Sequence, residues 1–303
     1  MTVRRCQRGA ALILVLWMVV ALSLVVLACA QSARLYTQRV GIELERIRVD
    51  AALEAATELV LSRLVTDKEL ARRYSRLQVQ LGELEVWVEI VPSNGLVDVN
   101  VAPPAVLEAL FARAGGLTQG EAAILASRVY DFIDSDDEPG GVGGAEIAQY
   151  RAAGAPVKPR NARLDDLTEL RGVLGMTSEL YATISPFLGI NGQQRIALSS
   201  APPALIDAIS GQPGLGASLL ATSAEMRASA LPSGLMTDMF TAASSGTSQT
   251  IRLRAFIQAH PERWWQREVW ADLTTRPEGA TPWTTRSVEP AKRVGNPLET
   301  GHS

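Results

Sequence analysis

The chain has 303 residues, with 29 basic and 32 acidic side chains and a formal net charge of −3. That length holds one large domain or two small ones, and the near balance of charge leaves no electrostatic footprint for nucleic acid. Two histidines, His260 and His302, and two cysteines, Cys6 and Cys29, are the whole supply of those types. No Ser-His-Asp or zinc-type pattern surrounds the histidines, and no disulfide framework is available after residue 30, so a non-enzymatic protein is expected.

The first element is a membrane-length helix. Arg4, Arg5 and Arg8 precede Ala10–Ala30, 21 residues whose one polar side chain is Ser23. At about 1.5 Å per residue this run spans roughly 30 Å, the hydrocarbon thickness of a bilayer. The leading arginines keep the N-terminus cytoplasmic and send the rest across the membrane. Ala28-Cys29-Ala30 supplies an A-x-A cleavage pattern and Val26-Leu27-Ala28-Cys29 a loose lipoprotein box, so a discarded signal peptide and a lipidated leader are both open from this stretch alone. The residues that follow argue for retention. Leu35, Ile42, Leu44, Ile47, Val49, Leu53, Ala56, Leu59, Val60 and Leu64 recur at spacings of mostly three and four, with no proline and one glycine, Gly41. An amphipathic helix continues directly from the apolar run, and Ala10–Val65 is expected to be one helix, roughly 80 Å long.

Beyond it, LEVWVEIV (84–91) alternates as a strand, Pro92-Ser93-Asn94-Gly95 signals a turn, and LVDVN (96–100) reads as the hairpin partner. A proline-started helix runs from Pro103 to about Ala114, ending at Gly115-Gly116. Thr118 with Glu121, and Asp166 with Glu169, have capping-box spacing, and Thr177–Ser185 reads as another short capped helix. VDVNVAPPAVLEAL (97–110) and IALSSAPPALIDAI (196–209) form a weak internal repeat, each a strand entering a proline-started helix. TIRLRAFI (250–257) and WWQREVWADL (264–273) read as strands, with Trp264, Trp265 and Trp270 as sheet residues. The Thr-, Pro- and Gly-rich end reads as disordered.

DFIDSDDEPGGVGGAE (131–146) gathers Asp131, Asp134, Asp136, Asp137, Glu138 and Glu146. Such a cluster repels itself unless solvated or neutralised, and hard oxygen ligands suit Ca²⁺. Asp134, Asp136 and Glu146 are the leading candidates, followed by Asp131 and Asp137. An EF-hand is excluded, because Pro139 stands where its glycine belongs and the closing acid comes one position late. A solvated acidic surface loop is the competing reading.

Arg8-Gly9 abutting the apolar helix resembles the class III signal of pilins and pseudopilins, which implies cutting by prepilin peptidase between Gly9 and Ala10. Most of those proteins carry glutamate at the fifth mature position, where this chain has Leu14. The K-type minor pseudopilin (GspK) of the type II secretion system lacks that glutamate. VDVNVAPP, DFIDSDDEP, GGAEIAQY, KPRNARLDDLTELRGVLG and ELYATISPFL are similar to that family's successive landmarks. The resemblance implies an α+β fold: a pilin-like long N-terminal helix and small antiparallel sheet, with a large helical domain inserted in the sheet. The expected organisation is a removed leader (1–9), a transmembrane part (10–30) and a periplasmic part (31–66) of the helix, a sheet from 67–101 and 247–275, a helical insert over 102–246, and a disordered tail over 276–303. It further implies a calcium-binding helical domain, I- and J-type minor pseudopilins, prepilin peptidase and secreted proteins as partners, and a place at the tip of the pseudopilus that initiates and caps it. A signal-anchored periplasmic enzyme or binding protein, or a minor pilin of type IV pilus assembly, is the alternative.

The first expectation to test is processing. The mature chain recovered from membranes should begin at Ala10 by intact mass, and Gly9→Val should leave the precursor uncut. A chain beginning at Gln31, or at a lipidated Cys29, would contradict it.

Overall fold

The computed structural model describes residues 7–222, 224–231, 238–242, 250–274 and 281–297. It separates into two units, Met1–Ala51 and Ala52–Ser303. One helix, α1 (Gln7–Thr66), supplies nearly all of the first unit and the beginning of the second. In the first unit Leu14, Trp17, Leu22 and Val26 are all more than half exposed. Ser23, the polar interruption, returns its hydroxyl to the Val19 carbonyl at 2.8 Å and Thr37 does the same toward Ala33. The helix thereby satisfies its own polar groups, which an apolar solvent requires. It is the one helix among the described residues long and apolar enough to cross a membrane.

In the second unit the end of α1 buries Leu53, Ala56, Val60, Leu61 and Leu64. A five-stranded antiparallel sheet is built from β1 (Ser75–Leu81), β2 (Leu84–Pro92), β7 (Thr250–His260), β8 (Arg263–Asp272) and β9 (Thr284–Val294), in the order β1-β2-β7-β8-β9. Register puts Val88, Ala255 and Arg267 on one face, with Ile90, Leu253 and Val269 beside them. The aliphatic residues of that set are buried, and Arg267 reaches Glu54 of α1 at 3.7 Å, so the end of α1 lies against this face.

The expected hairpin of β2 with residues 96–100 is not formed. The hairpin partner of β2 is β1, whose Leu77, Val79 and Leu81 alternate with Arg76, Gln78 and Gln80. Ser93–Gly95 forms a 3-10 turn instead of a hairpin turn. It leads the chain out of the sheet into β3 (Val97–Asp98), which pairs in parallel with β4 (Leu188–Gly189). Gly95 is needed there, because a Cβ would lie 2.0 Å from the Ser200 carbonyl oxygen. Asp98 is buried and accepts the backbone N–H groups of Asn100, Asn191 and Gly192, so this short segment finds its polar partners locally rather than in the sheet.

Between β3 and β7 lies the helical insert: α2 (Pro104–Ala109), α3 (Gln119–Ile133), α4 (Ile147–Ala152), α5 (Ser178–Ile184), β5 (Ile196–Ala197), α6 (Pro203–Ser210), α7 (Leu215–Ala221), α8 (Ala224–Ala230) and β6 (Phe240–Thr241). Its own core includes Phe111, Val129, Tyr150, Ile184, Leu205 and Phe240. The capping boxes at Thr118/Glu121 and Asp166/Glu169 are present. The two APPA segments each follow a two-residue strand, β3 and β5, and each strand is in a parallel pair, β5 with β6. The sequence repeat is thus a structural repeat.

The tail is also corrected. Thr284–Val294 is a strand rather than disordered chain. It forms because β8 offers an unpaired edge, not because its own residues carry a burial pattern. Of the expected leader, residues 1–6, and of the expected tail, residues 276–280 and 298–303, lie outside the described residues, as does residue 275.

A buried charge cluster joins sheet and insert. Glu89 accepts from the Tyr74 hydroxyl at 2.9 Å and from Arg254, and Arg76 stands 3.7 Å away. Close by, Arg252 is fully buried between Val91 and Trp270 in register and donates to the Pro186 carbonyl of the insert at 2.6 Å. Burial pushes the Glu89 carboxyl up, but Arg254, Arg252, Arg76 and the Tyr74 hydroxyl together hold it below the usual range. A carboxylate so depressed stabilises the fold fully above its unfolded value of about 4.3, and the contribution is lost as pH falls through the lower folded value. Glu89→Gln should cost about 3–5 kcal/mol in denaturant titration, since it leaves buried guanidinium groups uncompensated. The deficit should be present at pH 7 and shrink as pH falls below the ordinary carboxylate range, and a pH-independent loss would rule out this account.

Candidate metal centre

The acidic loop departs from the C-terminal end of α3. Ile133 closes that helix, and Asp134, its C-cap, turns into an extended conformation. Asp131, on the last turn, is almost fully buried and faces back into the loop, where it accepts the N–H of Gly140 at 3.0 Å and that of Ala145 at 2.6 Å. The chain must close tightly around it. A Cβ on Gly144 would lie 2.2 Å from the Gly140 carbonyl oxygen and 2.3 Å from Asp131 Oδ2, so only glycine fits. Glu146 then starts α4 as its N-cap, with its own N–H taken by the Gln149 side chain at 3.0 Å.

This geometry brings Asp131, Asp134 and Glu146 together, each offering an oxygen within 4.8 Å of the others. Oxygens bound to one Ca²⁺ at about 2.3–2.6 Å cannot be farther apart than about 5 Å, so the three can share one ion. Both Glu146 carboxylate oxygens and Asp134 Oδ1 are buried without a hydrogen-bond partner. Burial, reinforced by Asp131, Asp134, Asp137 and Asp136, pushes Glu146 up to about 7. Burial and then Asp136 and Asp131 raise Asp134 as well. Two carboxyls with open, buried lone pairs beside a third are costly unless protonated or neutralised. A hard divalent cation answers both needs, and the residues fit one.

Asp136 and Asp137 are exposed and stand outside the group of three. Asp136 Oδ1 accepts the Glu138 N–H at 2.9 Å, and Asp137 Oδ1 accepts from the Asn161 side chain at 3.2 Å. They add negative field rather than contact. Asn161 escaped the sequence analysis. It adopts a left-handed φ of 50°, donates to the Asp136 carbonyl, and leaves its own Oδ1 buried and unpartnered. Its placement depends on the chain returning 24 residues later to the same loop, which no local pattern signals. Gly9 and Ala10 fall in the first turn of α1, and Leu14 lies further along the same helix, 68% exposed.

Residues 89–191, which include the whole acidic loop, match the family model described as Type II secretion system (T2SS), protein K. A type II secretion system protein K of Pectobacterium carotovorum subsp. carotovorum is 32% identical over 90 residues, which is 30% of this chain. The aligned stretch spans 27% of that relative's length. A chain in the crystal structure of the GspK-GspI-GspJ complex from the enterotoxigenic Escherichia coli type 2 secretion system superposes with a TM-score of 0.52 at 17% identity, covering 84% of this chain and 99% of that one. The fold class expected from the sequence, a long N-terminal helix with an antiparallel sheet and an inserted helical block, is borne out. Residues 89–191 are therefore similar to the type II secretion system protein K family, as the sequence landmarks implied, and the chain shares the fold of a protein in that complex.

Proposed function

We propose that this chain is a minor pseudopilin of the type II secretion system that sits at the tip of the pseudopilus, starts its assembly and caps it. The observation that carries this reading is the insertion of a whole helical domain, containing most of the family-matched residues 89–191, into a sheet that follows a membrane-length helix. Its partners on this reading are the I- and J-type minor pseudopilins, the companions of the K protein in the GspK-GspI-GspJ complex. Prepilin peptidase cuts the leader after Gly9, the helix remains in the inner membrane with the folded part in the periplasm, and the assembly acts on secreted proteins. The role is structural rather than catalytic.

Two features favour a cap. A carboxylate at the fifth mature position would pair, inside the membrane, with the N-terminal ammonium of the next subunit. Leu14 offers none, and an unpaired ammonium there is costly. The insert is the stronger obstacle. A block of roughly 140 residues is about 35 Å across by compactness scaling, and overlap with a subunit above cannot be relieved by a few kcal/mol of pairing. Cysteine probes placed in the α1 stalk, in a Cys29→Ser background, should cross-link this protein only at fibre ends, and Leu14→Glu should leave that pattern unchanged. Incorporation along the shaft would refute the capping role.

The insert binds Ca²⁺ through Asp131, Asp134 and Glu146, with Asp136 and Asp137 strengthening the field. At a hundredfold excess over its dissociation constant, bound Ca²⁺ stabilises by about 2.7 kcal/mol. Chelation should therefore lower the melting temperature of the detergent-solubilised chain. Glu146→Gln, which removes one charge from the buried group, should abolish the calcium response and melt higher than wild type in chelator. Identical wild-type curves with chelator and with Ca²⁺ would leave a solvated acidic loop.

A further inference from the structure

Among the described residues, Asp134, Glu146 and Asn161 are the side chains at the acidic loop that bury an oxygen without a hydrogen-bond partner. The first two are carboxylates of the candidate centre. Asn161 reaches the loop from outside it, and several bonds fix where it stands. Its N–H and that of Arg160 both donate to the Phe132 carbonyl, at 3.1 and 3.0 Å, on the last turn of α3 between Asp131 and Asp134. Its Nδ2 donates to the Asp136 carbonyl at 3.3 Å and to Asp137 Oδ1 at 3.2 Å. A carbonyl and a carboxylate only accept, so the amide cannot be turned over: nitrogen faces them and Oδ1 points the other way. The backbone holds this position at φ 50°, a left-handed conformation that asparagine tolerates better than most side chains.

We propose that Asn161 Oδ1 is a further ligand of the divalent cation held by Asp131, Asp134 and Glu146, and that the ion thereby staples residues 160–161 to the acidic loop. The inference rests on the calcium reading of that loop and adds a ligand from a separate segment. Ca²⁺ takes about six to eight oxygens and accepts asparagine carbonyls beside carboxylates. Three carboxylates already exceed the charge of one divalent ion. A neutral oxygen adds to the shell without adding repulsion, where a fourth carboxylate would increase it. Asp131 has fewer lone pairs to give, since its two oxygens each accept a backbone N–H, from Gly140 and from Ala145. A buried amide oxygen in turn is costly to leave unmet, and the cation meets it. Asp136 and Asp137 then serve by holding the amide in place. The ion does for these two segments what a cross-link would, in a part of the chain that has no cysteine.

Two substitutions separate a ligand from a merely structural amide. Asn161→Gly keeps the left-handed backbone without strain and removes the oxygen. Asn161→Asp keeps an oxygen and loses both Nδ2 donors. Ca²⁺ is titrated calorimetrically into the full chain in detergent, and melting is followed in Ca²⁺ and in chelator. Asn161→Gly should bind Ca²⁺ at least about tenfold more weakly than wild type, the scale of losing even a supporting group at a metal site. In chelator it should melt within a few degrees of wild type. Asn161→Asp should bind at least as tightly as wild type and melt lower than it in chelator, because a fourth carboxylate then joins the cluster without a counter-charge. Equal affinity of Asn161→Gly and wild type would remove Asn161 from the shell and leave the three carboxylates as the site. An equal loss in both variants would show that only the Nδ2 bonds matter, and would overturn the proposal as well. A wild-type chain with no calcium response is a separate failure, which would overturn the metal site itself and this ligand with it.

Discussion

The arrangement of the second unit depends on one buried carboxylate. Glu89 sits on the sheet face turned away from α1, with Arg254 across the strand, Tyr74 donating from beside β1, and Arg252 nearby on the same strand as Arg254. Charges in such a place persist only when paired and hydrogen-bonded. Arg252 carries the constraint outward by donating to the Pro186 carbonyl, while Tyr74, Val91 and Leu96 pack with Leu220 and Trp270 around it. Strand, turn and insert are therefore held at a common seam. The insert cannot rotate on the sheet without unpairing a buried guanidinium.

The same logic of buried charge, left open instead of closed, marks the acidic loop. At the seam three arginines surround Glu89 and hold it ionised. In the loop, Glu146 is also buried but is surrounded by Asp131, Asp134, Asp136 and Asp137, and is pushed up instead. One carboxylate has its counter-charge within the chain, and the other has oxygens converging without one. The two sites differ in their neighbours, which is why only the second points to something from outside the protein. Gly140 and Gly144 let the loop fold close enough for Asp131 to hold both its ends.

The edge strand β9 has the inverse character. β9 is chain with little apolar content, ordered because β8 has backbone groups to satisfy. One sheet thus contains both strands with buried ion pairs and an edge strand held by its backbone ladder.

Much of this protein is legible in its sequence because the relevant signals are local and repeated. The membrane helix follows from 21 nearly unbroken apolar residues, the capped helices from Thr118/Glu121 and Asp166/Glu169, β7 and β8 from alternation, and the acidic loop from composition. What failed or went unseen was non-local. The partner of β2 was open because a strand pattern does not name its neighbour, and residues 96–100 had the nearer claim until Ser93–Gly95 and Asp98 satisfied them elsewhere. β9 was invisible because its pairing is dictated by the edge it meets. Asn161, and the choice of Asp131 over Asp136 as the third member of the cluster, were decided by how the chain returns on itself. The sequence by itself determined the long helix, the capped helices, β2, β7 and β8, and the chemical character of the loop, since those depend on side chains a few residues apart. The tertiary structure decided which strands pair, which carboxylates converge and which charge is buried with a partner, because each of those depends on residues that only folding brings within a few ångströms.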